Sequence, residues 1–72
     1  MKRTCIKSLY KSTYLANAFV EGRTYEVVET DKFYVWIKDE TGRPFNFRTG
    51  AIDETSHIVG RATTYAEAEY FA

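Results

Sequence analysis

The sequence predicts a mainly β fold: a small antiparallel barrel of about five strands, closed by a short C-terminal helix. Three observations carry this expectation. The run Gly22–Arg48 divides into three strand-length segments separated by two turn signals. Six Tyr and five Phe in 72 residues supply large rings able to fill a small core, at roughly 150–250 Å² of buried surface each. Near the end, Thr64-Tyr65-Ala66-Glu67 has capping-box spacing, which starts a helix.

The first element is a half-buried strand over Lys2–Ser8, with Thr4 and Ile6 on one side and Arg3, Cys5 and Lys7 on the other. Residues 9–19 show no period of two and read as a long, partly structured loop, from which Leu9, Tyr10, Leu15 and Phe19 fold back on the core. Gly22 turns the chain into a strand over Arg23–Thr30, with Tyr25 and Val27 on one face and Glu26 and Val28 on the other. Asp31-Lys32 connects it to Phe33–Lys38, where Phe33, Val35 and Ile37 oppose Tyr34 and Trp36. Asp39–Arg43 is the strongest turn in the chain, because Gly42 supplies the positive φ that a bulged hairpin loop needs. Pro44 cannot donate to a ladder and so opens the next strand, in which Phe45 and Phe47 oppose Asn46 and Arg48.

Ala51–Ser56 reads as a connecting loop and His57–Ala62 as a last short strand. A helix of two turns then runs to Ala72, with Tyr65, Ala68 and Ala72 nearly in line and Phe71 at the edge. So short a helix is unstable alone and must dock. It can dock at the open end of the barrel or over Tyr34 and Trp36.

The chain is long enough for one domain, residues 1–72, and for one core. A chain of this size buries only about 60% of its unfolded surface. Cys5 is the sole cysteine, so no internal disulfide forms. The N-terminal residues lack the apolar run of a signal peptide, and nothing approaches the ~20 apolar residues of a membrane span. A cytoplasmic location is expected. The zero net charge conceals a segregation. Residues 1–24 carry five bases against Glu21, whereas residues 25–72 carry nine acids against five bases. Antiparallel pairing brings the two halves together and is expected to interleave these charges.

The motifs Cys5-Ile6-Lys7-Ser8, Gly22-Arg23-Thr24-Tyr25-Glu26-Val27, Asp39-Glu40-Thr41-Gly42 and Pro44-Phe45-Asn46-Phe47 together resemble small SH3-like β-barrel proteins encoded by bacteriophages. That resemblance covers residues 4–48. It implies an SH3-like barrel, an origin in phage, the bacterial host cytoplasm as location, and a role in binding and inhibiting or redirecting a host protein.

Enzymatic chemistry is not expected. One Cys and one His offer no nucleophile with a positioned base, Cys5 reading as a buried apolar residue and His57 as a solvated one. No cofactor and no metal are expected either, since a structural zinc site needs four such ligands. The pairs Asp39/Glu40 and Asp53/Glu54 read as solvated turn residues. Two binding roles survive. In the first, Tyr34 and Trp36 contact a protein partner, with Lys38 and Arg48 at the rim, a composition enriched where interfaces concentrate their energy. In the second, the rings stack on single-stranded nucleic acid while Lys2, Arg3, Lys7 and Lys11 meet phosphates. A pI near 6.6 favours the first. An edge strand could also pair two copies as a homodimer.

Overall fold

The computed structural model describes residues 1–49 and 65–72. The strand expected over His57–Ala62, the loop before it, Asp53, Glu54, His57 and Thr64 lie outside the described residues. The chain is mainly β. The described strands are β1 (Lys2–Thr4), β2 (Leu9–Lys11), β3 (Ala16–Phe19), β4 (Thr24–Thr30), β5 (Tyr34–Lys38), β6 (Pro44–Arg48) and β7 (Tyr65–Ala66), followed by α1 (Glu67–Tyr70). A five-stranded sheet in the order β1-β4-β5-β6-β7 curls into a half-barrel, and β2-β3 forms a separate hairpin.

Register sets the two faces, because directly paired residues share a side of the sheet. Val35 pairs with Phe47 and Ile37 with Phe45 on the concave face; Tyr34 pairs with Arg48 and Trp36 with Asn46 on the convex face. This is the alternation expected of β5 and β6. In β1, Arg3 pairs with Tyr25, so Arg3 and Cys5 belong to the inner side and Ile6 is left exposed. Cys5 is buried as expected: burial pushes its thiol pKa up, and the thiol donates to the Lys7 carbonyl.

Phe19 is the centre of the core. Its ring meets Tyr25, Phe45, Phe47 and Phe71 at centroid distances of 4.8, 5.4, 5.3 and 5.3 Å, all steeply inclined. Edge-to-face pairs of this kind add about 0.5–1.5 kcal/mol each beyond the area they bury.

The stretch 9–19, expected as a loop, is instead the β2–β3 hairpin. Leu9 pairs with Phe19, and a register shift between Leu9 and Tyr10 lets adjacent Ala18 and Phe19 both be buried. Tyr10 and Leu15, expected to fold inward, are exposed. The turn closes with Leu15 at φ 56°, in the left-handed region, and 81% exposed. An L-residue there costs roughly 1–2 kcal/mol, and so exposed a side chain contributes little packing. Leu15→Gly is therefore expected to raise stability in urea by about 0.5–1 kcal/mol, part of the strain relief being lost to glycine's extra chain entropy. A fall in the urea midpoint would show that the Leu15 side chain matters to the fold.

Asp39 and Glu40 tie the hairpin to the β5–β6 turn; both were expected to be solvated, and Glu40 is exposed, whereas Asp39 is not. Asp39 is 5% exposed. Its Oδ1 accepts from Thr41 N–H at 2.8 Å, Thr41 Oγ1 at 2.6 Å and Arg43 N–H at 3.1 Å, while the Tyr14 hydroxyl donates to Oδ2 at 2.9 Å. Glu40 accepts from the Tyr25 hydroxyl and from Arg23, and its own N–H donates to the Ala18 carbonyl. Burial and the Glu40 carboxylate push Tyr25 up to about 12, so its hydroxyl stays a donor at neutral pH. Gly42, at φ 84°, supplies the positive φ that the turn was expected to need.

The C-terminal segment also departs from expectation. The helix is one turn, Glu67–Tyr70, with Ala66 at its N-cap and no side-chain cap. The helix stops before Phe71, whose φ of −133° and ψ of 140° are those of a strand. Phe71 bridges to Cys5; the Tyr70 and Phe71 rings are buried, and Ala68 and Ala72 are exposed. β7 pairs with β6 in parallel, so the sheet is not purely antiparallel. Residues 65–72 thus join β6 to β1 across the open side of the half-barrel. Ala72 N–H donates to the Thr4 carbonyl, Ile6 N–H to the Tyr70 carbonyl and Arg3 Nε to the Ala72 carbonyl.

Candidate binding face

The convex side of β4–β5–β6 brings together Tyr34, Trp36, Lys38 and Arg48, the four residues expected at a protein contact. Tyr34 and Trp36 are half-buried there, and Lys38 is exposed with its ammonium 3.9 Å from Glu26. Arg48 corrects the expectation of a rim residue: it is 8% exposed and belongs to the buried part of the face. It pairs across the strands with Tyr34. Tyr34 Oη and Asn46 Oδ1 are buried on this face with no hydrogen-bond partner among the described residues. Each such atom costs about 1–3 kcal/mol.

Neither element that could have covered Tyr34 and Trp36 does so. The helix docks on the concave face, where Tyr70 meets Phe47 and Tyr65, and Phe71 meets Phe19, Tyr25 and Phe47. The hairpin enters the same face through Leu9 and Phe19, and Lys11 lies 5.6 Å from the Phe45 ring centroid. Among the described residues, no ring contacts the Tyr34 or Trp36 ring.

The four bases of the N-terminal strand region are not assembled into a patch. Arg3 pairs with Glu67, Lys7 Nζ sits 2.6 Å from Glu69, Lys11 lies over Phe45, and Lys2 is exposed opposite Glu26. The charge segregation along the sequence therefore closes on itself, basic N-terminal residues meeting acids of the C-terminal segment. The hydrogen bond and charge of the Glu69 carboxylate raise the Lys7 pKa above its ordinary value.

Glu29 joins this face without having been singled out in the sequence. Simple alternation from Tyr25 and Val27 assigns it to the core side. The signal was present nonetheless, because a carboxylate at an inward position is a conflict that a bulge resolves.

Among the described residues no cluster of His, Cys, Asp and Glu could hold a metal, and no helix is long and apolar enough to cross a membrane. No family model, curated protein or solved structure matches the chain.

Proposed function

We propose that the chain is an SH3-like barrel that works as a protein-binding module, with the Tyr34–Trp36 face of β5 and β6 as its contact surface. The observation that carries this reading is the placement of the C-terminal segment and the β2–β3 hairpin, both packed on the concave side. The convex aromatics are thereby separate from the core that Phe19 organises. The resemblance to phage-encoded barrels puts a bacterial host protein first among partners and inhibition or redirection of that protein first among outcomes. Single-stranded nucleic acid is the weaker ligand, because Arg3 and Lys7 are already engaged by Glu67 and Glu69, and phosphate binding draws on free bases.

Immobilised wild-type chain and Trp36→Ala tested side by side in bacterial lysate decide the matter. A protein retained by the wild type should be lost from the variant, since truncating a central aromatic anchor costs about 2 kcal/mol or more of affinity. The thermal midpoint should fall by no more than about 8 °C, the equivalent of ~1 kcal/mol in a domain this small. Equal retention by both proteins would move the contact surface elsewhere.

A further inference from the structure

The bulge in β4 re-aims a carboxylate. Val27 pairs with Ile37 on the concave face, and the next pair in the ladder is Glu29 with Trp36, so the register shifts by one at Val28. Without that extra residue, Glu29 would follow Tyr25 and Val27 into the core. With it, Glu29 stands directly across from Trp36 on the convex face, exposed to solvent. Bulges occur with excess frequency beside functional sites, where they redirect a side chain in this way.

The charges around the pair give the flank a sign. Glu26 and Glu29 both lie on β4, and Lys38 reaches Glu26 at 3.9 Å. Glu29 makes no ion pair among the described residues, which leaves one carboxylate uncompensated beside the indole. Arg48 lies on the far side of β5, across from Tyr34 rather than Trp36. An indole face attracts a cation through its quadrupole, and an adjacent carboxylate supplies the counter-charge.

We propose that Glu29 and Trp36 form a subsite for a cationic side chain of the partner, an arginine or lysine whose head group stacks on the indole and pairs with the carboxylate. This deepens the protein-binding reading by stating the chemistry of the residue that docks there. Basic segments are then selected over acidic ones, and arginine over lysine, because its planar guanidinium can stack and hydrogen-bond at once.

Trp36 is the only tryptophan in the chain, so its fluorescence reports on this subsite alone. The probe is the capped peptide acetyl-Arg-Gly-Arg-amide, with the citrulline analogue as its uncharged counterpart. Saturable change in Trp36 emission is expected with the arginine peptide. The apparent affinity should weaken at least threefold in 0.5 M salt and at least fivefold in Glu29→Gln, and the citrulline peptide should give no saturable change. Glu29 is exposed, so Glu29→Gln should keep the wild-type thermal midpoint. Equal responses to both peptides, an unchanged response in Glu29→Gln, or no saturable response to the arginine peptide would each overturn the subsite. If the subsite fails while Trp36→Ala still loses the captured protein, the face stands and only its partner chemistry is wrong.

Discussion

Phe19→Ala is expected to leave much of the chain unfolded at room temperature. Truncating a buried phenylalanine costs about 3–5 kcal/mol, and a domain of this length holds only about 4–11 kcal/mol in total at 0.05–0.15 kcal/mol per residue. Phe19 belongs at the upper end of that cost. Its ring joins residues from β4, β6 and the C-terminal segment, and it is fully buried. No single neighbour can collapse into the space, because the surrounding rings are themselves held by strand pairing. Urea unfolding followed by near-ultraviolet circular dichroism measures the loss. A drop of less than about 1 kcal/mol would mean that the core is centred elsewhere.

Asp39→Ala should be the most damaging polar substitution, at about 2–3 kcal/mol, the scale of losing hydrogen bonds to a charged acceptor. The carboxylate organises the β5–β6 turn and anchors Tyr14 of the hairpin, so its removal loosens two elements together. The same residue gives the stability a pH dependence. Burial alone would raise its pKa, but the bonds from Thr41, Tyr14 and the Arg43 and Thr41 backbone outweigh it and hold the carboxyl below its ordinary 3.8. A depressed folded pKa means that the contribution is complete above the ordinary value and is lost as pH falls through 3.8 and below. Comparison of urea midpoints at pH 6.5 and pH 3 should show a larger loss for the wild type than for Asp39→Asn. Equal losses would remove Asp39 as the acid-sensitive group.

Where local pattern and tertiary pairing agree, the fold was legible. Val35, Ile37, Phe45 and Phe47 alternate cleanly with Tyr34, Trp36, Asn46 and Arg48, and Gly42 marks its turn, so β5, β6 and their two faces follow from sequence. The β2–β3 hairpin was hidden because Leu15 occupies a left-handed position usually signalled by Gly or Asn, and because a register shift breaks the period of two. The sequence predicts a longer helix because capping spacing is a local signal, whereas Phe71 leaves the helix to bridge to Cys5, far away in sequence. Two adjacent acids in a turn read as solvated, which holds for the exposed Glu40 but not for the buried Asp39. Their tyrosine partners lie 25 and 15 residues away. Of the candidate face, Tyr34 and Trp36 could be read directly. Glu29 required the bulge, and the burial of Arg48 depends on tertiary packing that local pattern does not carry.

Mapping amide and indole chemical shifts in the nitrogen-labelled chain, as the protein captured from lysate is added, tests the assignment of the binding face most directly. The separation of a concave core from a convex contact surface predicts shifts at the Trp36 indole and at Tyr34, Glu29 and Asn46, with Phe19, Cys5 and Phe71 unmoved. Shifts clustered instead at Tyr10 and Leu15, or along the C-terminal segment, would contradict it.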